Sequence, residues 1–370
     1  MKKNEKFDVM VVYSETTAKS ARDSQYKGRS PFPRTEKNGE YNDSYSYVLS
    51  RCKKTGMKAA FTTSRDIIGP GLFRSYWTYD SKWTKHPGKA SSAVLFDKFT
   101  PSTIAQQDRL ELMESSPSVY NFSNKEIKDI FLNKLNTYKY FREFAIPTVA
   151  VANPSQRTIA QAKGTLDAVL DNHRYEMDVD DGYILKDQTG SGGFKIYKID
   201  FDTTGFKDIM EYYEYDKRDK ETLSYILQPF IDCTDGFHFG KHSGFIDLRL
   251  ILLNQKIIQA YIRVAQDGNF KCNEHQGGDL VYIPLSVIPR TVRAMSKQIT
   301  QQLHTIVDLK HSLFALDFIQ SNDGNLYFIE GNTNPGIDWD HEKKINEVKS
   351  KELIDIIVRE LRLIYKETRT

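Results

Sequence analysis

The sequence predicts an α+β protein whose N-terminal part is a separate α/β domain. Apolar strand patterns at 7–13, 57–62 and 92–97 alternate with a helical pattern at 44–54, which is typical of a small α/β unit. Beyond residue 180 most apolar segments follow one another as short strands, which is typical of α+β lobes. A chain of 370 residues is also long enough for two or three packed units.

The remaining elements follow from the same patterns. Residues 14–43 lack periodicity and contain several glycines and prolines, so a long loop is expected there. Helices are predicted at 124–144, at 156–172, from Pro289 onward and at 342–366. Strands are predicted at 182–187, 194–199, 223–231, 246–253, 256–264, 313–320 and 325–330.

Composition excludes several classes of protein. The chain lacks an apolar run of about 20 residues, so a membrane protein is not expected. Its N-terminus lacks the features of a signal peptide. Its three cysteines do not match a zinc site or a disulfide framework, so a cytoplasmic protein is expected.

Positive charge is concentrated near the N-terminus. Residues 1–100 carry an excess of lysine and arginine, although the net charge of the whole chain is only +3. This excess could attract an acidic partner, which neutralising Arg22, Lys27, Arg29 and Arg34 would test. A nucleic acid is disfavoured because no nucleic-acid-binding motif is present. A merely solvated basic surface would explain the same distribution.

The most informative segment is LFALDFIQSNDGNLYFIEGNTNPGI at 313–337. Asp323-Gly324 between two apolar strands predicts a hairpin with a type I′ turn, in which both central residues have positive φ. Asn322 would then pair with Asn325. Counting outward from that pair places Asp317 opposite Glu330.

The same hairpin predicts a metal site. The facing carboxylates of Asp317 and Glu330 would repel each other unless positive charge lies between them. Asn332 lies two residues after Glu330 and therefore on the same side of the strand. Carboxylate and amide oxygens are ligands suited to Mg²⁺. The alternative is that these residues lie on a solvated strand face.

A second segment, YILKDQTGSGGFKIY at 183–197, places a glycine-rich loop between two strands. Backbone N–H groups of such a loop can approach phosphate oxygens, and Lys186 at the end of the first strand supplies positive charge. The loop could instead be only a flexible turn. Lys134, in the preceding predicted helix, could likewise be an ordinary solvated lysine.

Four further polar residues accompany the strands that flank Asn254-Gln255. Arg249 and Arg263 each lie in an otherwise apolar strand and so require an anion or a route to solvent. Lys271 and Asn273 follow in a glycine-flanked loop. Together these groups could collect phosphate and carboxylate oxygens.

The order of these motifs resembles the ATP-grasp superfamily. Lys134 before IPTV, Lys186 with its glycine-rich hairpin, the segment YILQPFID, the two arginines with FKCN, and EGNTNPG follow one another over roughly 120–340. The resemblance is closest to the ribosomal-protein glutamate ligase (RimK-like) group and extends to D-alanine–D-alanine ligase and glutathione synthetase. It implies an ATP-grasp fold, in which an N-terminal α/β domain (1–122) precedes two α+β lobes (123–228 and 229–370) that clamp ATP.

The resemblance also implies a role for each motif. For ATP it implies Lys134 and Lys186, the lid residues Gly190, Ser191, Gly192 and Gly193, and the backbone of Gln228 and Phe230. The ribose would bind Asp232 or Asp235, of which Asp235 is the preferred candidate. For the transferred phosphoryl group and the substrate it implies Arg249, Arg263 and Lys271. For one or two Mg²⁺ ions, which Mn²⁺ could replace, it implies Asn273, Asp317, Glu330 and Asn332. The family usually has a glycine in place of Lys195, so Lys195 could stiffen the lid or contact a phosphate.

The activity implied is ligation of a carboxylate to an amine through an acyl phosphate, with ADP and phosphate as products. The partners would be ATP, a carboxylate substrate and an amine substrate, such as an amino acid, a peptide or a protein tail, and the chain could form a homo-oligomer. Two alternatives remain open: an ATP-grasp phosphotransferase without ligation, and a non-catalytic nucleotide-binding regulatory protein. The complete set of Asp317, Glu330 and Asn332 argues against the second.

Overall fold

The computed structural model describes residues 4–33, 39–101, 103–122, 124–172, 182–190, 192–217 and 224–369. The chain divides into two compact units: the first combines Met1–Asn124 with Gly336–Thr370, and the second is Lys125–Pro335. This division differs from the predicted boundaries after 122 and 228. The C-terminal residues group with the first unit, and not with a third domain, because their helix packs there.

Strands and helices are numbered in chain order. The strands are β1 (Glu5–Lys6), β2 (Val9–Tyr13), β3 (Ala59–Thr63), β4 (Ile67–Gly69), β5 (Leu72–Phe73), β6 (Tyr76–Asp80), β7 (Lys82–His86), β8 (Ala90–Ser91), β9 (Val94–Lys98), β10 (Tyr120–Asn121), β11 (Val149–Val151), β12 (Tyr183–Asp187), β13 (Ile196–Ile199), β14 (Tyr225–Pro229), β15 (Ile246–Leu253), β16 (Lys256–Val264), β17 (Asp279–Tyr282), β18 (Leu313–Gln320) and β19 (Leu326–Asn332). The helices are α1 (Gly39–Lys54), α2 (Ile104–Glu114), α3 (Lys125–Phe131), α4 (Lys134–Tyr140), α5 (Gln156–Leu170), α6 (Phe206–Lys217), α7 (Arg290–His304) and α8 (Lys344–Glu367). No helix in the described ranges has both the length and the apolar character needed to cross a membrane.

The first unit is built on a six-stranded sheet in the order β10-β9-β2-β3-β6-β7. β10, β9, β2 and β3 run parallel, whereas β6 and β7 form an antiparallel hairpin at one edge. β2 is almost completely buried, which explains why its sequence, VMVVY, is an apolar run and does not alternate. The predicted α/β character of this unit is confirmed, although neither the β6–β7 hairpin nor α2 is among the predicted elements.

α8 packs on α1 within the first unit. Its side chains Leu353, Ile357 and Leu361 are buried and share one helix face, so α8 contributes to the core of this unit. Asp355 on the same helix accepts a hydrogen bond of 3.1 Å from the Tyr47 hydroxyl, and its Oδ1 lies 2.6 Å from the Nε of Arg51.

The second unit contains two antiparallel sheets. The sheet β11-β14-β12-β13 packs against α5 and α6, and the sheet β17-β16-β15-β18-β19 packs against α3, α4 and α7. The helix predicted from Pro289 onward is α7, and its side chains Val292, Met295, Ile299 and Leu303 are buried on one face. Ile306, which continues the same apolar spacing, lies beyond the helix and is exposed.

The helix predicted at 124–144 is wrong in two respects, because α3 and α4 are separate helices and α4 ends at Tyr140. Asn133 lies between them and caps α4: its Oδ1 accepts the backbone N–H groups of Leu135 and Asn136 at 3.0 and 3.1 Å. The apolar periodicity continues across the break and hides it. The break makes Lys134 the first residue of α4.

The predicted pair at 246–253 and 256–264 is confirmed as β15 and β16. Asn254 and Gln255, which join the two strands, have φ values of 49° and 66°. Two consecutive positive φ values are the signature of a type I′ turn. Asn tolerates this conformation better than most residues, whereas Gln does so only under the constraint of the hairpin.

Candidate functional site

Lys134 and the glycine-rich loop are joined by two contacts in the second unit. The backbone N–H of Lys134 donates to the Gln188 carbonyl at 2.9 Å, and its Nζ donates to the Gly190 carbonyl. The same Nζ lies 3.9 Å from Glu330 Oε2. Only 9% of the Lys134 side chain is exposed, so it is not a solvated helix lysine.

Lys186 is a second buried lysine beside the same loop. Burial lowers the pKa of its ammonium group to about 8, the attraction of Glu330 partly opposes this change, and the positive charge of Lys134 adds to it. An anion bound beside the two lysines would favour the charged form of Lys186. This pair is therefore suited to hold negatively charged oxygens.

The loop after β12 begins with a turn made by Asp187. Its Oδ1 accepts the backbone N–H groups of Thr189 and Gly190 at 2.9 and 3.1 Å. Gly192 and Gly193 then have φ values of 72° and 76°, which only glycine adopts readily. Ser191, predicted as part of the lid, lies outside the described residues.

Lys195 occupies a position that favours glycine. Its φ is 55°, in the left-handed region, so the backbone retains a conformation natural for glycine although the side chain is long. The Lys195 Nζ lies 3.9 Å from Asp187 Oδ2, on the far side of the loop. This contact supports the prediction that Lys195 stiffens the lid.

The loop approaches Asn273 closely at Gly193. A Cβ atom on Gly193 would lie 2.7 Å from Asn273 Oδ1, so only glycine permits this contact without a shift. Lys271, two residues before Asn273, lines the same cavity, and burial lowers the pKa of its ammonium group.

Two arginines and two aspartates form a buried charged cluster on neighbouring strands. Arg249 lies opposite Asp317 across β15 and β18, and Arg263 lies opposite Asp247 across β15 and β16. Arg249 Nε and Nη2 reach the two carboxylate oxygens of Asp317 at 2.6 and 2.5 Å. Arg263 Nη2 donates to Asp317 Oδ2 at 2.8 Å, and its Nε donates to Asp247 Oδ1 at 2.7 Å.

The opposite charges within this cluster stabilise one another. Burial by itself would raise the pKa of Asp317, but Arg249 and Arg263 together hold the pKa below its usual value. The pKa of Asp247 is raised by burial, which Arg263 only partly opposes. The positive charge beside Asp317 therefore comes from arginine side chains, whereas the positive charge nearest to Glu330 is Lys134. Asp247 is a cavity residue absent from the predicted site, although it begins the strand motif that contains Arg249.

The hairpin β18–β19 has the predicted pairing of Asp317 with Glu330, but its turn and its register differ from the prediction. Of the two residues expected to have positive φ, only Gly324 does, at 81°, and Ser321 pairs with Asn325 through a 2.9 Å hydrogen bond, so the type I′ prediction is wrong. The loop is one residue longer than predicted. A β-bulge then skips Ile329 and restores Asp317 opposite Glu330, which is confirmed.

Glu330 and Asn332 differ in their surroundings. The Glu330 side chain is 26% exposed and lines the cavity. Asn332 lies at the end of β19, where its Oδ1 accepts the backbone N–H of Asn334 at 2.7 Å and organises the turn that follows. Asn332 does not line the cavity itself.

One cavity in the second unit gathers most of the predicted site. Both sheets contribute to it. The predicted residues that line it are Lys134, Lys186, Gly190, Gly192, Gly193, Gln228, Phe230, Arg263, Lys271, Asn273, Asp317 and Glu330. Arg249, Asn332 and Asp235 are not in its lining, and Asp232 is also outside it.

One end of the cavity is apolar and aromatic. The ring of Phe230 lies 5.7 Å from Phe270 and 5.9 Å from Phe245, and the Lys198 ammonium lies 3.7 Å from its centroid. The Phe230 N–H is already bonded to the Gly182 carbonyl at 3.0 Å. The neighbouring N–H of Ile231 makes no hydrogen bond within the described residues, and Ile231 lines the cavity.

The donor set fits a divalent cation only in part. Among the described residues, no three His, Cys, Asp or Glu side chains converge closely enough to hold a metal ion by themselves. Three of the roughly four lone-pair sites of Asp317 already accept arginine hydrogen bonds. Glu330, the amide oxygens of Asn273 and Asn332, and one lone pair of Asp317 remain, which suits a cation completed by oxygens of a bound ligand.

Comparison with known proteins identifies the family. The model of the RimK-like ATP-grasp domain matches residues 153–357, just over half of the chain. A Legionella pneumophila (strain Corby) protein named "Probable alpha-L-glutamate ligase" is 32% identical over 126 residues, which cover 34% of this chain and 38% of the relative. The chain thus spans about two fifths of the length of this curated relative.

Two solved structures share the fold. D-alanyl-alanine synthetase A from Vibrio cholerae matches with a TM-score of 0.55 and 13% identity, covering 98% of this chain and 99% of that chain. A RiPP-associated ATP-grasp ligase from Chryseobacterium gregarium, in complex with ADP and a leader and core peptide, matches with a TM-score of 0.52 and 15% identity, covering 95% of this chain and 96% of that chain. Both likenesses confirm the predicted ATP-grasp fold, and with the match over residues 153–357 they establish that the chain belongs to the RimK-like ATP-grasp family.

Proposed function

We propose that the chain is an ATP-dependent carboxylate–amine ligase that forms an amide through an acyl-phosphate intermediate. One observation carries the proposal: a single cavity gathers the lysine pair Lys134 and Lys186, the cations Arg263 and Lys271, and the carboxylate of Glu330. Such a mixture of charges suits the transfer of a phosphoryl group, whose catalysis depends on positioning and charge neutralisation.

The lysine pair would bind the phosphates of ATP, and the glycine-rich loop would cover them. Backbone N–H groups of Gly192 and Gly193 can approach phosphate oxygens because neither residue has a side chain. The aromatic end near Phe230 would receive the adenine. Because the Phe230 N–H is engaged by Gly182, the backbone donor for the adenine would be Ile231, one residue later than predicted.

Glu330, Asn273, Asn332 and the free lone pair of Asp317 would hold Mg²⁺. When bound, the ion would neutralise charge on the phosphate oxygens. Asn332 would contribute its remaining lone pair while it keeps the turn to Asn334 in place. Asp235 stays a candidate for the ribose only if the segment after β14 moves when nucleotide binds, because Asp235 is exposed outside the cavity.

The reaction needs no side-chain nucleophile. A carboxylate oxygen of the substrate would attack the terminal phosphorus of ATP, the bond to the bridging oxygen would break, and ADP would leave. The amine would then attack the acyl carbon and lose a proton, and phosphate would leave as the amide forms. Arg263 and Lys271 would stabilise negative charge that develops on the phosphoryl oxygens in both steps.

The amine substrate is the first unknown to test. The relative's name, "Probable alpha-L-glutamate ligase", makes glutamate the first amino acid to try. Purified protein with ATP and Mg²⁺ would be screened against amino acids and peptides, in pairs and singly, for release of ADP and for a product one water lighter than the sum of the two substrates.

The outcomes separate the three candidate functions. ADP release that requires both substrates, with amide formation, supports ligation. A phosphorylated product that forms equally well without any amine would identify a phosphotransferase. Tight binding of ATP with no ADP release in any combination would point to a regulatory nucleotide-binding protein, and either result would overturn the proposal.

A further inference from the structure

The first unit contains a large groove that the ligase reaction does not explain. Its volume is about 1420 Å³. It is lined by the segment from Ala21 to Pro33, by the first turns of α1, and by the β6–β7 hairpin. All of these elements belong to the first unit, so the groove is complete within it.

The groove carries positive charge that is not neutralised. Arg22, Lys27, Arg29 and Lys82 line it and are exposed, and within the described residues none of them forms an ion pair. Lys85, the fifth cation, donates to the backbone carbonyl of Tyr26. The four exposed side chains are in contact with solvent. An anionic ligand would therefore not first have to displace a carboxylate from them.

The acidic residues of the groove offset only part of this charge. Asp23 accepts the backbone N–H groups of Gln25 and Tyr26 at 3.0 and 3.2 Å. Asp43 lies 3.2 Å from a ring nitrogen of His341. Among the described residues that line the groove, five cations therefore face two aspartates, which leaves a net positive charge.

The segment that bears three of the cations is anchored at both ends. Near its start, the Ser20 hydroxyl donates to the buried carboxylate of Asp66 at 2.8 Å. At its end, Asn42 bonds both the N–H and the carbonyl of Phe32, at 3.1 and 2.9 Å. Just before this segment, the Trp77 indole donates to the Lys19 carbonyl at 2.9 Å. The frame of the groove is thus set before any ligand binds, which reduces the entropy lost on binding.

The aromatic residues of the groove are used for packing. Trp77 is buried, Trp83 lies 5.3 Å from Tyr79 and 6.0 Å from Phe61, and the Tyr26 ring carries Lys85 at 4.9 Å. A single-stranded nucleic acid is bound by stacking its bases on open ring faces. The groove offers cations without such a row of rings, which suits a chain of carboxylates better than a nucleic acid.

We propose that this groove binds an acidic peptide segment, rich in glutamate or aspartate, that extends across Arg22, Lys27, Arg29 and Lys82. In the ligase, this segment would be part of the carboxylate substrate, and that role rests on the proposed function. The binding itself does not rest on it. Arg34, which the sequence analysis grouped with these cations, lies outside the described residues.

The binding test uses the full-length protein without ATP. A fluorescein-labelled octaglutamate peptide is titrated with protein, and its fluorescence anisotropy is measured at low and high salt. The groove variant replaces Arg22, Lys27, Arg29 and Lys82 by Gln. The matched control replaces Lys54, Lys89, Arg359 and Lys366, which are exposed cations elsewhere in the same unit, by Gln, so both variants lose the same charge.

The proposal expects the groove variant to bind the peptide at least about tenfold more weakly than the control variant, with binding that weakens as salt rises. A second variant, with Arg29→Glu and Lys82→Glu, should lose octaglutamate and gain affinity for octalysine. Equal losses in the groove and control variants would overturn the proposal, because net charge alone would then explain binding. Preference for an oligonucleotide of equal charge would overturn it in favour of a nucleic acid.

The substrate role has a separate readout. With a glutamate-rich peptide as carboxylate substrate, the groove variant should show a raised KM for the peptide with an unchanged KM for ATP and an unchanged kcat. If the peptide binds in the groove but no carboxylate releases ADP, the ligase proposal fails while the groove proposal stands. If a ligase reaction is found whose peptide KM is unaffected by the groove variant, the substrate role is overturned.

Discussion

Asp317 combines a structural role with a predicted metal-binding role. Its carboxylate balances two buried arginines, and removing one partner of a buried ion pair leaves an uncompensated charge. Glu330 faces it across the hairpin, yet its side chain is partly exposed and lies 3.9 Å from Lys134 Nζ. The two carboxylates of the predicted metal site should therefore respond differently to the same substitution.

Asp317→Asn should lower the free energy of unfolding of the second unit by about 3 kcal/mol, because Arg249 then lacks its anion and Arg263 retains only Asp247. Glu330→Gln should lower that free energy by less than Asp317→Asn does, because the Glu330 side chain is partly exposed and its nearest lysine nitrogen is 3.9 Å away, yet it should abolish Mg²⁺-dependent ADP release. Urea unfolding followed by circular dichroism checks the first quantity. Tryptophan fluorescence would miss it, because Trp77, Trp83 and Trp339 all lie in the first unit. Equal destabilisation by both substitutions would contradict this division of roles.

Lys186 should make nucleotide affinity depend on pH. Its pKa is lowered to about 8 by burial, whereas the form that binds phosphate is protonated, so affinity is greatest below pH 8 and falls as the pH rises through that value. Between pH 7 and pH 9 the Kd for ADP should rise about tenfold. Isothermal titration calorimetry measures it.

The matched control for this pH dependence is Lys186→Arg, whose guanidinium stays charged over the whole range. The arginine variant should bind ADP with a nearly constant Kd between pH 7 and pH 9. An equally steep decline in both proteins would assign the titration to another group.

At the scale of the element, the break between α3 and α4 decides where Lys134 lies. Asn133→Ala should destabilise the second unit by about 1 kcal/mol through loss of the N-cap. It should also weaken ADP binding, because the first turn of α4 carries Lys134 to the glycine-rich loop. Asn133→Asp keeps the cap and is the control. An unchanged Kd for ADP in the alanine variant would show that the cap does not position Lys134.

The long helices and strands could be predicted from the sequence, whereas the break between α3 and α4 could not. The apolar faces of β15, β16 and α7 are regular, so periodicity locates them well. The break at Asn133 lies within a continuing apolar pattern, and a single capping residue is a weak signal beside it. Asp187 was detectable in principle, since an aspartate two residues before Thr189 favours the turn that it forms.

The candidate site could likewise be predicted only in part from the sequence. Twelve of the residues predicted from the order of the motifs line one cavity in the structure, although they are far apart in the chain. Asp247 and the Phe230 N–H could not be assigned correctly, because their roles depend on which strand lies next to which. Only the register between β15 and β16 shows that Asp247 faces Arg263.

At the scale of the whole molecule, the C-terminal helix belongs with the N-terminal residues. Ile357 on α8 is fully buried in the first unit, so Ile357→Ala should destabilise that unit by about 2–5 kcal/mol. Leu363, on the exposed face of the same helix, provides the matched control. Unfolding followed by tryptophan fluorescence reports the first unit specifically. Equal midpoints for the two alanine variants would exclude a core role for α8.

The bulge at Ile329 has a consequence for how chain length can vary in this hairpin. The longer turn and the skipped residue displace the register in opposite directions, so their effects on the pairing of Asp317 with Glu330 cancel. A hairpin that loses one residue at the turn can keep Glu330 on this face by giving up the bulge, because a three-residue loop and an unbroken register then pair it with Asp317. Relatives with one residue fewer in this hairpin should therefore lack the bulge and still place a carboxylate opposite the residue that corresponds to Asp317.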